Sequence, residues 1–224
     1  MGRAPGGYSA GAMPSLDSLT PALFRSVRQL WLVVAVVLLH GCAGVPIQPV
    51  ADPVPPPQRI PVCSGYGCLN IDTVHLNDAE WRSVRARFNP RAQTPADERQ
   101  QIARAIAQLE KIIGPKTETE HDKGGTFPGL FEAGQMDCID ESTNTTVYLR
   151  LLAANDLLRW HEVGPDATRG YFLFGWPHTT ATIRETGSGE NYVVDSWFFD
   201  NGVEPVIIPL KLWRDGWNPP AVKP

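Results

Sequence analysis

The stretch "HTTATIRETGSGENYVVD", from His178 to Asp195, decides the fold. Its first part alternates polar and apolar residues, its last part is β-branched and aromatic, and "TGSGEN" between them is a cluster of turn-forming residues. This pattern predicts a β-hairpin that brings His178 and Asp195 close together. The register stays open: a loop centred on Ser188 pairs Asp195 with Ala181, whereas a shorter two-residue loop pairs it directly with His178.

Further strands are predicted on both sides of this hairpin. The apolar run Gly170–Trp176 precedes it, its second strand continues to Phe199, and Glu204–Leu210 follows. The segment "KLWRDGW" after them predicts a closing helical turn. Because three helical segments come earlier in the chain, the order of elements predicts an α+β fold in which helices are followed by an antiparallel β-sheet.

Three segments combine a polar N-cap residue with an apolar stripe at helical spacing: His75–Phe88, 94–114 and 137–155. Their predicted caps are Asn77 or Asp78, Thr94 and Asp137. In the second helix Pro95 suits the first turn, and Gly114 with Pro115 predicts the end. The third helix is rich in threonine, so we expect tertiary packing to hold it.

Residues 1–41 have the pattern of an export signal. Two arginines precede ten apolar residues, Leu30–Leu39, which are too few to span a bilayer. The "LHGC" that ends at Cys42 resembles the lipobox of bacterial lipoproteins, in which the cysteine becomes the lipidated N-terminus. A plain signal peptide or an uncleaved anchor is the alternative, and Met13 is a second candidate start.

The lipoprotein resemblance implies that the bilayer is a partner, contacted through acyl chains (palmitate among them) on Cys42. Ala43 after the cysteine implies the outer membrane, with the protein facing the periplasm. Residues 42–62 carry a proline-rich run, which predicts an extended tether or a disordered segment without a spacing role. The net charge of −4 favours attachment by acyl chains over attraction to anionic lipid. The absence of a basic stripe with aromatics argues against nucleic acid as a partner.

Three cysteines follow Cys42. Cys63 and Cys68 flank "SGYG", and in an oxidising periplasm we expect them to form a disulfide. A zinc half-site is the alternative, although no second half-site has suitable spacing, and no metal site is predicted. Cys138 is then left unpaired, either as a buried, inert thiol or as a free thiol with a chemical role. The folded domain is predicted to cover residues 63–224.

Cys138, His178 and Asp195 form a candidate catalytic set. Cys138 lies at a predicted helix start, where N–H groups and the helix dipole favour a thiolate. An imidazole serves as the base for a thiol, and a carboxylate on its other nitrogen fixes the tautomer. The alternatives are an inert thiol and a buried His–Asp pair that only stabilises the sheet.

The order and spacing of these three residues resemble those of the transglutaminase-like cysteine peptidases, a branch of the papain-like fold. This resemblance implies a cysteine that opens a helix, with the histidine and aspartate on adjacent strands, and it implies Gln135 as an oxyanion donor. "DCID" also resembles the "DC-x-D" of periplasmic peptidases that release biofilm adhesins, in which acids on both sides of the cysteine bind calcium. Asp137 matches the first acid, and Ile139 stands where the second is expected.

From Cys63 onward the chain also resembles an uncharacterised group of proteobacterial lipoproteins, which implies no activity. The expected function is a periplasmic thiol hydrolase that acts on an amide or isopeptide bond of a protein or a peptidoglycan peptide. No cofactor is expected apart from the calcium that the resemblance allows. The alternative is a non-catalytic envelope lipoprotein, with a degenerate fold of this kind, that acts as a binding or assembly module.

Overall fold

The computed structural model describes residues 59–125, 133–170 and 177–220, together with the isolated residue Gly2. The predicted export signal, Cys42 and nearly all of the predicted tether lie outside these residues, as does most of the predicted strand 170–176. The chain divides into two compact units, Met1–Ile47 and Gln48–Pro224. All elements named below belong to the second unit. No helix within the described residues is long and apolar enough to cross a membrane.

The described residues contain seven strands and four α-helices. The strands are β1 (Ile60–Ser64), β2 (Asn70–Val74), β3 (His161–Val163), β4 (Ala167–Arg169), β5 (His178–Glu185), β6 (Asn191–Asp195) and β7 (Val206–Pro209). The helices are α1 (Asp78–Arg85), α2 (Pro95–Thr117), α3 (Cys138–Ala154) and α4 (Leu210–Arg214). A short 3₁₀ turn, Ala86–Phe88, continues α1.

The strands form two antiparallel sheets. The larger has the order β3-β5-β6-β7, with β4 also paired to β5, and the smaller is the β1–β2 hairpin. The α+β class is therefore confirmed. The small hairpin was not predicted, and because β1 begins at Ile60, the fold starts three residues before the predicted boundary at Cys63.

The register of the β5–β6 hairpin differs from both predicted possibilities. Ala181 lies opposite Val194, so continuing the ladder places Asp195 opposite Thr180. His178 is two residues before Thr180 on the same strand, and side chains two residues apart share a face. His178 and Asp195 are therefore diagonal neighbours, close enough for a hydrogen bond between two polar side chains. β6 ends at Asp195 and does not continue to Phe199.

Helix α2 continues beyond the predicted end at Gly114 and Pro115. A proline in the last turn removes only one N–H, and Glu118, with a left-handed φ of 60°, ends the helix with its N–H bonded to the carbonyl of Gly114. Gly114 is needed for packing, because a Cβ there would lie 2.8 Å from Nδ2 of Asn201. The caps Asn77, Thr94 and Asp137 are as predicted.

Helix α3 lies at the centre of the domain. Every residue from Asp140 to Leu149 is buried, including several threonines. The helix packs against β5 on one side and β1 on another. A helix that is buried all round is held by its surroundings, as the threonine content predicted.

Candidate active site

Cys138 is the first residue of α3 and is buried, with 7% of its surface exposed. It takes part in no disulfide. Its sulfur accepts a hydrogen bond from the backbone N–H of Thr179, the residue that follows His178 on β5. The fold therefore places the thiol at the beginning of β5, at the residue that follows the candidate base, although Cys138 and His178 are 40 positions apart in the chain.

His178 and Asp195 form a buried hydrogen-bonded pair, with 2.8 Å between Nε2 of the imidazole and Oδ2 of the carboxylate. The other ring nitrogen, Nδ1, is buried and has no hydrogen-bonding partner among the described residues. A carboxylate at Nε2 favours the tautomer with the proton on Nε2. In the neutral ring Nδ1 then carries the lone pair, which is the form that accepts a proton.

Trp213 of α4 also contacts this pair, and the sequence did not predict its role. Its Nε1 donates to Oδ2 of Asp195 at 2.8 Å, and its ring centroid lies 5.4 Å from that of His178. Trp197 and Phe198 contact the imidazole from other sides, at 4.7 and 5.3 Å between centroids. Imidazole and carboxylate are thus enclosed by aromatic rings. The sequence showed only an aromatic segment and a short terminal helix, with no signal for their partner.

We expect Trp213→Phe to lower the free energy of unfolding by about 1–3 kcal/mol, because a buried hydrogen bond and part of a filled volume are lost. It is also expected to slow the reaction of Cys138 with iodoacetamide, since Asp195 loses one of its two donors. Urea unfolding and a labelling time course measure the two effects. Leu212→Ala, on the exposed side of the same helix, serves as the control and is expected to change neither.

The pKa of Cys138 is raised to about 11, chiefly by burial and further by the carboxylates of Asp137 and Asp195. The sequence had predicted thiolate stabilisation at the helix end. Burial and these carboxylates thus outweigh the stabilisation of a thiolate at the helix end, and the Asp137 carboxylate also takes the N–H groups of Ile139 and Asp140, at 2.9 Å each. The raised pKa keeps the thiol protonated near neutral pH, so a reaction of the sulfur as a nucleophile would require removal of this proton.

Gln135 is buried, and both ends of its side-chain amide bond to a neighbouring loop. Its Nε2 donates to the carbonyl of His121 at 3.1 Å, and its Oε1 accepts from the N–H of Lys123 at 3.2 Å. These bonds tie the loop to the segment before Cys138. An oxyanion-donor role for Gln135 stays a prediction. The backbone N–H of Cys138 lies within hydrogen-bonding reach of its own sulfur, so it is a candidate donor for an oxyanion formed at this residue.

The β1–β2 hairpin is fixed to the first turns of α3. Its cysteines, Cys63 and Cys68, have their sulfurs at disulfide distance, 2.15 Å, so the zinc alternative finds no support. Asp140 accepts the N–H groups of Tyr66 and Cys68 at 2.7 and 2.6 Å. Asn144 bonds both the N–H and the carbonyl of Cys63, at 2.7 and 2.9 Å. The disulfide loop thus lies beside the start of the helix that carries the thiol.

Several carboxylates lie near the start of α3, and two of them, Asp137 and Asp140, accept hydrogen bonds from backbone N–H groups. Within residues 59–125, 133–170 and 177–220, no group of three or more His, Cys, Asp or Glu is arranged to hold a metal ion. Asp137, which the resemblance assigns to calcium, caps α3, and Asp140 binds the disulfide loop. These contacts give the calcium expectation no support.

Two of the buried acids have strongly raised pKa values. Burial is the main cause of a pKa of about 7 for Glu110, and the negative charge of Asp122 adds to it. Asp122 itself reaches about 7, again chiefly through burial. Glu110 accepts hydrogen bonds from the N–H of Gly202, at 2.8 Å, and from the side chain of Ser196, while its Oε1 has no partner among the described residues. Both acids are therefore partly protonated near neutral pH.

We expect the titration of Glu110 alone to lower the free energy of unfolding by about 2 kcal/mol between pH 5.5 and pH 8. With an ordinary pKa of 4.5, Glu110 loses its proton in the unfolded chain at the lower pH, whereas the folded chain holds the proton up to about pH 7. Rising pH thus favours the unfolded state through this window. Urea unfolding across the range measures the slope. Glu110→Gln is expected to flatten it, and an unchanged slope in that variant would contradict the assignment.

Comparisons with known proteins found no matching family model, no similar curated protein and no similar solved structure.

Proposed function

We propose that this chain is a lipid-anchored periplasmic thiol hydrolase with a transglutaminase-like core, which cleaves an amide or isopeptide bond in a protein or a peptidoglycan peptide. The observation that carries the proposal is the buried His178–Asp195 bond, which leaves Nδ1 of His178 without a partner among the described residues, while the sulfur of the free Cys138 accepts from the N–H of Thr179, the next residue along the strand. A nucleophile at a helix start, with its base and orienting acid on adjacent strands, supports the proposed core.

In the proposed reaction the sulfur of Cys138 attacks the carbonyl carbon while its proton passes to Nδ1 of His178. The oxyanion that forms is held by the N–H of Cys138. The C–N bond then breaks, and the amine leaves with the proton from His178, so that a thioester remains. Water attacks the thioester and gives one proton to His178, and the acid product leaves as the thiol is restored. Asp195 orients the imidazole throughout.

The proposed location rests on the sequence of the N-terminal region and on the disulfide pair. Cys42 closes the lipobox-like segment, and acylated lipoproteins bind the bilayer through this residue. A disulfide between Cys63 and Cys68 is stable in an oxidising compartment such as the periplasm. Hydrolysis is proposed over transfer to an amine because water is the abundant acceptor there.

A second candidate function is a non-catalytic module that binds or assembles envelope components. One observation favours it: Cys138 is buried, with 7% of its surface exposed, and its pKa of about 11 keeps the thiol neutral. In this case His178 and Asp195 only stabilise the sheet. Both candidates share the lipid anchor and the fold, and they differ in the reactivity of one sulfur.

Iodoacetamide labelling of the folded protein distinguishes the two. For the hydrolase we expect stoichiometric labelling at Cys138 near neutral pH, located by peptide mass spectrometry and absent in Cys138→Ala. The labelling rate should rise well below pH 11, because His178 removes the proton. A Cys138 that reacts only after urea unfolding would refute the hydrolase and favour the binding module. The disulfide leaves Cys63 and Cys68 out of the measurement.

A further inference from the structure

An open pocket of about 480 Å³ lies between the end of α1 and the first half of α2, formed by residues from 86–104. It is built by the 3₁₀ turn, the loop that follows it and one face of α2. None of Cys138, His178 and Asp195 lines this pocket. The volume is within the range of pockets that bind small molecules, about 300–1,000 Å³.

Three arginines line the pocket, and no carboxylate within the described residues forms an ion pair with them. Arg87 donates to the neutral side chain of Gln108, and Arg91 donates to the carbonyl of Asp156 at 2.8 Å. Arg104 is half-buried and has no hydrogen-bonding or ion-pair partner in the described part of the chain. By contrast, the nearby Arg99 is paired with Glu185 at 2.8 Å.

The charges of the lining side chains indicate which kind of ligand the pocket would bind. Asp97 is the acid among its lining residues, and its carboxylate accepts a hydrogen bond from Thr94. Three positive groups against one negative group leave an excess of two positive charges, in a chain whose net charge is −4. Guanidinium groups bind phosphate through paired N–H donors. A phosphate group with about two negative charges matches this excess better than a single carboxylate does.

The other lining side chains suit a polar ligand. Asn89 and Gln93 add exposed amide groups, and the buried Gln101 bonds the carbonyl of Pro90 through its Nε2 at 2.6 Å. That bond connects α2 to the loop that carries Arg91. The arginines are therefore held on three connected elements around one space.

The geometry points to an anion-binding site in this pocket, which takes a ligand with a phosphate group through Arg87, Arg91 and Arg104. The phosphate belongs to a lipid headgroup or to a soluble phosphate compound. The site is independent of the proposed thiol chemistry, so it stands or falls without it.

Calorimetric titration of the full chain, in a nonionic detergent at low salt, tests the site with two probes. Inorganic pyrophosphate represents a soluble phosphate, and dihexanoyl phosphatidic acid represents a lipid headgroup. We expect saturable binding of at least one probe, weakened as salt is added. Binding of both, or of pyrophosphate alone, assigns the site to soluble phosphates, and binding of the lipid alone assigns it to headgroups.

Arg104→Gln is expected to weaken the bound probe about tenfold, and Arg91→Gln by a similar factor. Arg82→Gln, an exposed arginine of α1 outside the pocket, is the matched control and should change the affinity less than twofold. These surface changes leave the core intact, and equal melting temperatures without ligand verify this. The proposal is overturned if neither probe binds, or if Arg82→Gln weakens binding as much as Arg104→Gln does.

Discussion

Alkylation of Cys138 at about pH 7.5 is expected to slow about 10²- to 10⁴-fold in His178→Ala, the range that a general base contributes. The buried thiol has a pKa of about 11, so only a very small fraction is thiolate near neutral pH without help. In the proposed mechanism His178 would remove the proton through Nδ1, which has no partner among the described residues. Without the imidazole, the rate should keep rising up to strongly alkaline pH.

Asp195 variants separate orientation from simple loss of structure. Asp195→Asn keeps an oxygen that accepts from Trp213 and His178, so we expect a folded protein with an intermediate labelling rate. Asp195→Ala leaves two buried donors unpaired and should be both slower and less stable. Labelling at the wild-type rate in both His178→Ala and Asp195→Ala would refute the triad. Circular dichroism of each variant shows that it is folded before its rate is interpreted.

Glu98→Ala is expected to lower the free energy of unfolding by about 3–5 kcal/mol, because it removes a buried acceptor and leaves its hydrogen-bond donors unpaired. Glu98 is fully buried, and its carboxylate accepts from Nδ1 of His161 and from the N–H groups of Arg159 and Trp160, at 2.9, 2.7 and 2.9 Å. Burial by itself would raise its pKa, but these hydrogen bonds prevail and lower it. Alanine would leave three donors without an acceptor.

The matched control for this prediction is Glu162→Ala. Glu162 forms an ion pair with Arg184, and, unlike Glu98, it lies at the surface: both side chains of the pair are about half exposed. Exposed pairs contribute about 0–1 kcal/mol, so the control should barely change the urea midpoint. Equal effects of the two substitutions would show that the burial of Glu98 has no energetic consequence. Since β3 begins at His161 and pairs with β5, loss of Glu98 should also increase exchange of β5 amides.

His161 illustrates a contact that sequence reasoning did not detect. In the sequence its acidic neighbour is Glu162, and nothing indicates Glu98 as its partner. In the structure it begins β3 and meets Glu98, 63 residues earlier in the chain. Neither the position of His161 in the sequence nor that of Glu98 indicates that the two side chains would be in contact. Trp213 with Asp195, and Asn144 with Cys63, are further contacts of the same kind.

By itself the sequence determined the local features: the caps Asn77, Thr94 and Asp137, the α+β order, and the hairpin that carries His178 and Asp195. These features follow from the periodicity of apolar residues and from side chains that hydrogen-bond to nearby backbone groups. Both effects act over a few residues. Tertiary structure decided the hairpin register, the burial that raises the pKa of Cys138, and the enclosure of His178 by aromatic rings. Those features depend on which segments, far apart in the sequence, pack together and exclude water. Only the packing of the whole domain determines this.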